Sequence, residues 1–519
     1  MFCLYILSVN SFLLPITFNI HWQQFYKISP QSNPFPAISL QLPNLRIPKN
    51  KAITYRARQA PQKKRKMKII NPANGQVLTE VIIDTPEKIE QKYLQAKDAQ
   101  YYWSAMPVTE RIDCIKRFHA LLETEKDILA QTLTNEVGKP LQQSYNELIG
   151  ARGRIEYFID NSEKYLSDEW VTEYGLTKER ISYEPLGVIA NISAWNYPYL
   201  VGVNVFIPAL IGGNAVLYKP SEYATLTGLH IGRLFQQAGL PPYLFQVITG
   251  TGETGATLLD LPLNGYFFTG SYATGKYIAE AVAGKLVPVQ LELGGKDPLY
   301  VMDDVADINA VAEAVLEGVM YNAGQSCCAV ERVYVQEGVF DAFVEAIVYK
   351  AARLKVGDPM HPDTAMGPVC RPQQLEVLED QVMDALEKGA KMVYQTFEMP
   401  ETGNYFPITL LTQTDHSMRI MYEESFGPVV GIQKVSDDEE ATGLMLDTEY
   451  GLTAAVYGTD INRAEKIMRK MRTGTVYFNC CDRVSAALPW SGRGHSGLGS
   501  TLSYQGIRAF VQPKGWHMR

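Results

Sequence analysis

Apolar positions along the chain fall into two regimes. Between residues 86 and 165 they recur at helical spacing, and Ile112, Ile115, Phe118, Leu121 and Leu122 share one face. The spacing predicts helices over 86–105, 109–137 and 144–165, the second stopped by Gly138-Lys139-Pro140. From Gly187 onward, short apolar runs alternate with longer helical stretches. Runs at 188–193, 215–218, 245–249, 266–269, 289–293 and 299–302 read as buried strands, with helices at 225–237 and 275–282 between them. Such alternation predicts βαβ units and a buried parallel sheet. After residue 307 a second α/β region follows. Its helices lie near 307–322 and 337–353 and its strands near 333–335, 454–457 and 474–478.

The first 66 residues fit neither regime. Residues 2–20 are apolar but broken by Ser8, Asn10, Ser11, Pro15, Thr17 and Asn19. That is marginal for a membrane helix, which needs about 20 largely apolar residues. No positive charge precedes the run, as one would in a secretory signal. The segment holds ten Lys or Arg and no Asp or Glu. A transit peptide, a poor membrane anchor and a stretch ahead of a natural start at Met67 compete as readings. The third is preferred, because the regular pattern begins at Ile69-Ile70-Asn71-Pro72. On that reading 1–66 is disordered or not part of the native protein, and the location is cytoplasmic. If the segment is genuine, organelle targeting or membrane association is the alternative.

Composition and charge sharpen the division. With 519 residues, 46% hydrophobic and 20% charged, the chain is an ordinary globular mixture with room for about three domain-sized units. Disordered, collagen-like and disulfide-stapled classes are excluded. The 453 residues of the body hold 38 of the 48 basic residues and all 56 acidic ones. The body is therefore at −18, although the whole chain is at −8. An acidic body repels a phosphate backbone, so a nucleic-acid partner is not expected. Seven cysteines, with adjacent pairs at Cys327-Cys328 and Cys480-Cys481, show no CxxC and no zinc spacing. No metal is expected, and a reducing compartment is the simpler setting.

Several turns carry candidate chemistry. Gly250-Thr251-Gly252-Glu253-Thr254-Gly255 fits GxGxxG, but the acid that should hold a ribose about 20 residues later is missing. An ordinary tight turn is the preferred reading. Gly270-Ser271-Tyr272-Ala273-Thr274-Gly275 links a strand to a helix whose N-terminus suits a phosphate. Lys219 and Glu222 close a strand where they could bond ribose hydroxyls. Glu292 stands in an otherwise apolar strand, a costly place for an acid without a partner or a function. Asn196 follows a buried strand in Trp195-Asn196-Tyr197-Pro198, where an Asx turn is the plain alternative. Cys327 lies just past Gly324-Gln325-Ser326; alone it would read as a small core residue.

Together these segments resemble the aldehyde dehydrogenase superfamily from about Asn71 to the C-terminus. Six motifs stand in the family's order: Trp-Asn-Tyr-Pro, Lys-Pro-Ser-Glu, Phe-Thr-Gly-Ser with Gly275, Glu-Leu-Gly-Gly-Lys, Gly-Gln-Ser-Cys, and Glu424-Ser425-Phe426-Gly427-Pro428. The resemblance implies an α/β fold. A Rossmann-like NAD-binding domain (67–162 and 186–294) would join an α/β catalytic domain (295–497). A small β oligomerisation element (163–185 and 498–519) would combine a hairpin with a last strand near 505–513. It implies Cys327 as nucleophile, with Cys328 a bystander. Asn196 and the Cys327 backbone N–H would hold the oxyanion, and Glu292 would activate the hydrolytic water. Lys219, Glu222, Gly270, Ser271, Gly275 and Glu424 would bind the dinucleotide. Glu222 would favour NAD, with NADP as the alternative, because a carboxylate repels a 2′-phosphate. Tyr197, Val201, Asn204 and Trp490 would line the substrate tunnel. Arg483 could meet an acidic tail there, but a surface ion pair is its preferred reading.

The expected activity is oxidation of a medium aliphatic or aromatic aldehyde, or a semialdehyde, to the free acid by a homodimer or homotetramer. Glu292 argues against transfer to coenzyme A. A membrane-anchored fatty-aldehyde enzyme and a non-catalytic protein on the same fold are the rival readings.

Overall fold

Val188–Ile192, buried at all five positions, forms an inner strand of a six-stranded sheet. On one side it pairs in parallel with Ala215–Lys219, which pairs with Phe245–Val247. On the other it pairs with Gly265–Thr269, followed by Val289–Glu292. The chain therefore reverses its direction of strand addition at Val188–Ile192, the switch point where such sheets open a crevice beyond their carboxyl ends. Gly497–Leu498 closes this sheet in antiparallel pairing with Val289–Glu292. The computed structural model describes residues 65–519; the readings for residues 1–64, including an anchor at 2–20, lie outside the described residues.

A seven-stranded sheet follows. Its order is Lys391–Gln395, Thr409–Thr412, Val429–Val435, Val330–Gln336, Asp297–Val301, Thr453–Tyr457 and Thr475–Phe478. Only the first pairing is antiparallel. Each large sheet has its own apolar core. One runs from Ile89 to Leu293 and takes in Cys328, Trp490 and Phe510, and the other runs from Leu299 to Cys481. Among the described residues no helix is long and apolar enough to cross a membrane.

Two expectations need correction. The helix expected over 109–137 is two, Val108–Thr124 and Lys126–Val137, broken at Glu125. The break lets Phe118 stack on Phe235 while Glu136 reaches the first amides of helix Thr225–Gln237. The strand expected near 505–513 is a helix, Ser503–Arg508, then a strand, Val511–Met518. That strand is exposed at most positions, so it lacks the apolar run that marks a strand in sequence. It pairs antiparallel with Thr177–Pro185, which pairs with Glu169–Tyr174, to make a separate three-stranded sheet. The strand Lys66–Ile70 starts one residue ahead of Met67.

Candidate active site

Four neighbouring parallel strands end at one edge of the six-stranded sheet, and most of the expected site residues stand there. Asn196 lies shortly beyond Val188–Ile192, Lys219 ends its strand, Gly270 and Ser271 follow Gly265–Thr269, and Glu292 ends Val289–Glu292. Lys219 is buried, donates to the Pro220 carbonyl at 3.1 Å and lies 3.6 Å from Glu222. Burial pulls the Lys219 ammonium below its usual range, and Glu222 opposes that shift. A Cβ at Gly255 would sit 3.6 Å from the Lys219 stem, so the tight turn at 250–255 borders this lysine. A Cβ at Gly275 would fall 2.5 Å from Leu293, which lets helix Tyr272–Val282 lie close to the strand carrying Glu292.

The cysteine arrives through a strained turn. After helix Ile308–Met320, Asn322 and Ala323 both have φ of 53° and Gly324 has φ of 71°. Successive left-handed residues persist only where their surroundings impose them. Here the Asn322 backbone N–H donates to Gln143 Oε1 at 3.0 Å. The Asn322 side-chain amide donates to the carbonyls of Asn196 (3.2 Å) and Gln325 (3.3 Å). Asn196 Nδ2 donates to the same Gln325 carbonyl at 3.0 Å, tying the expected oxyanion residue to the loop that carries Cys327.

A buried carboxylate fixes the second wall. Glu331 accepts from the backbone N–H groups of Ser425 (2.8 Å) and Phe426 (2.9 Å) and pairs with Lys296 at 2.7 Å. The adjacent Glu424 accepts from the Gly295 N–H at 3.2 Å, and burial pushes it up to about 8. A Cβ at Gly294 would lie 2.1 Å from Glu424 Oε1, and one at Gly295 would lie 2.6 Å from the Cys327 carbonyl. The Gly294-Gly295 backbone thus separates Glu424 from Cys327 by the width of one chain.

Glu292 is enclosed. Its Oε1 accepts from Gln290 Nε2 and Thr501 Oγ1, both at 3.4 Å, while its Oε2 has no partner among the described residues. Burial pushes Glu292 up to about 8. Asn196 Oδ1 is likewise buried without a donor.

A cavity of about 850 Å³ opens beside the cysteine, and Tyr197, Val201, Asn204, Cys327, Arg483 and Trp490 are on its wall. All four expected tunnel residues therefore line one space, whereas Glu292 and Asn196 are not on that wall. Arg483 pairs with Glu317 at 3.4 Å, with its side chain largely exposed. Cys328 is buried and its thiol donates to Asp482 Oδ1 at 2.8 Å, and it sits well above the usual thiol range because Cys327, burial and Asp482 all favour the protonated form.

Three supporting residues escaped the sequence reading. Lys139, which in sequence is simply part of a helix stop, forms a buried ion pair with Glu147. Glu147 and Arg154 sit seven apart on helix Leu141–Leu166, among the buried Leu148, Ala151, Ile155 and Phe158. Two opposite charges on an apolar helical face were the available signal.

Known proteins resemble this chain in sequence and in fold. The family model for the aldehyde dehydrogenase family matches residues 59–515, beginning inside the basic segment. Aminoaldehyde dehydrogenase 2 of Solanum lycopersicum is 32% identical over 486 residues, covering 92% of this chain and 96% of its own. The crystal structure of betaine aldehyde dehydrogenase from Staphylococcus aureus in complex with NAD+ superposes with a TM-score of 0.84 at 31% identity, covering 87% of this chain and 92% of that one. An NADP-dependent enzyme of E. coli gives 0.85 at 30%, covering 88% and 95%. The chain belongs to the aldehyde dehydrogenase family.

Proposed function

We propose that the protein oxidises an aldehyde to the free carboxylic acid with NAD, NADP being the second choice. The observation that carries the reading is the hydrogen bond that ties Asn196 to the Cys327 loop, at the sheet edge where the buried, half-unpartnered Glu292 ends its strand.

The Cys327 thiolate attacks the aldehyde carbon to form a thiohemiacetal. The developing oxyanion is held by the Cys327 backbone N–H and by the Asn196 amide, whose Nδ2 already faces the Cys327 loop. The dinucleotide, when bound, supplies the acceptor for the hydride that leaves the thiohemiacetal carbon. Cys327 is then left as a thioester. Glu292 in its carboxylate form takes a proton from water through its unpartnered Oε2, and that water hydrolyses the thioester.

The residues present fit a dinucleotide. Side-chain-free backbone at Gly294 leaves Glu424 space, and Lys219 with Glu222 closes the adjoining strand end. Lys219 and Glu222 would hold the adenine-side ribose, and Glu424 the nicotinamide ribose. Gly270, Ser271 and Gly275 would border the pyrophosphate.

On this reading the six-stranded sheet with its flanking helices is the NAD-binding domain and the seven-stranded sheet the catalytic one. The three-stranded sheet exposes Trp170, Val171 and Tyr174, and its hairpin turn exposes Leu176, which supports its use between subunits of a dimer or tetramer. Six free thiols among the described residues suit a reducing, cytoplasmic setting. The test is NADH formation over aliphatic, aromatic, amino- and carboxy-aldehydes, with NAD and NADP in parallel. Absence of reduced dinucleotide with every aldehyde overturns it.

A further inference from the structure

Arg154 stands on the wall of the same cavity as Cys327 and is only 9% exposed. Its Nη1 donates to Asn204 Oδ1 at 3.0 Å and to the Leu200 carbonyl at 3.2 Å, both neutral acceptors. Among the described residues no carboxylate pairs with it within 4.0 Å. A guanidinium buried without an ion-pair partner is costly, and proteins keep one where a ligand supplies the missing charge.

Three acids act on it from beyond ion-pair distance, Glu147, Asp482 and Glu292. Glu147 is paired with Lys139, Glu317 with Arg483, and Asp482 accepts the Cys328 thiol. Burial lowers Arg154 only to about 10, so it stays charged at neutral pH. Among the described residues its Nε and Nη2 have no acceptor, and the residue lines the cavity. Asn204 adds to this. Because its Oδ1 is turned to Arg154, its Nδ2 is the free end, and among the described residues it too has no partner. The cavity wall thus offers donors and a positive charge that no carboxylate contacts directly, the complement of a carboxylate.

We propose that the tunnel selects aldehydes that carry an anionic tail, anchored by the Arg154 guanidinium with the Asn204 amide beside it. This rests on the reading of Cys327 as the nucleophile at the inner end of that tunnel. An ammonium-bearing aldehyde would meet Arg154 as a like charge, and a methyl-terminated one would leave it unpaired.

The experiment uses the full chain with NAD and three chain-matched aldehydes ending in carboxylate, methyl or ammonium. The expected kcat/KM for the carboxylate exceeds that for methyl by about 10- to 100-fold, the range for hydrogen bonds to a charged group, and ammonium is poorest. In Arg154→Met the carboxylate advantage collapses, mainly through KM, and Arg154→Lys restores part of it. Since Arg154 is buried and its variants could misfold, the wild-type enzyme carries a second measurement. A dicarboxylate of matching length should compete with the aldehyde, and the corresponding diamine should not. Methyl- or ammonium-terminated aldehydes oxidised as well as the carboxylate overturn the proposal while leaving the dehydrogenase reading intact. No NADH from any of the three overturns both.

Discussion

Lys139 and Glu147 form an ion pair with neither side chain exposed, and this pair holds the turn that carries Asn196. Glu147 Oε1 accepts the Tyr199 N–H at 2.8 Å, the first turn of helix Pro198–Ile211, while the Lys139 ammonium lies 3.8 Å from the centre of the Tyr197 ring. Removing one partner leaves the other charge buried and alone. Lys139→Met should therefore destabilise the protein by about 3–5 kcal/mol, read from the denaturation midpoint. The double variant Lys139→Met/Glu147→Gln should recover much of that loss, because no unpaired charge remains and the amide oxygen still caps Tyr199. Equal losses in both would deny that the pair acts through its charge.

Glu292 predicts the pH dependence of turnover. Burial pushes it up to about 8, and only its carboxylate form can activate water. Steady-state kcat should rise with pH through that region and level above it. Glu292→Gln should keep a first-turnover burst of NADH and lose about 10²- to 10⁴-fold in steady turnover, the usual contribution of a general base. Loss of the burst together with turnover would assign Glu292 a different role.

Stability should fall as the solution becomes alkaline. Glu136 is pushed up to about 7, and Glu292 and Glu424 to about 8, all by burial. Each folded-state value lies above the unfolded one, so the folded protein binds more protons between about 4.5 and 8. The stability these groups contribute is fully present below their unfolded values and is lost as pH rises through 7 to 8. The melting temperature should drop across that window. Glu292→Gln should flatten the slope by up to one proton, about 1.4 kcal/mol per pH unit. A melting temperature that climbs from pH 6 to 9 would contradict this.

Gly294→Ala should act on the dinucleotide alone. Its Cβ would displace Glu424 Oε1, 2.1 Å away, and loosen the bond from Gly295. Loss of one hydrogen bond that leaves a buried polar group unsatisfied, about 1–3 kcal/mol, corresponds to about a 5- to 100-fold weaker NAD affinity, measurable by direct titration. Unchanged affinity would remove Glu424 from the dinucleotide site.

The site was more legible in the sequence than its supports. Strand ends such as Lys219 and Glu292 stand out because a charge closes an apolar run, and Cys327 stands out because its motif is local. The break at Glu125 is invisible locally: it exists so that Glu136 can reach the amides of Leu226 and Thr227, about ninety residues on. Strand Val511–Met518 owes its form to pairing with Thr177–Pro185 rather than to any apolar run of its own. Arg154 and Glu147 looked like ordinary helix charges until the fold showed which face was inside.

In the proposed mechanism Cys327, and not its neighbour, attacks the aldehyde. The most direct test is mass spectrometry of the enzyme quenched during turnover, alongside NADH formation, in Cys327→Ala and Cys328→Ala. An acyl adduct should appear on Cys327 in the wild type and in Cys328→Ala, and neither adduct nor NADH in Cys327→Ala. Appreciable turnover by Cys327→Ala, or an adduct on Cys328, would contradict it.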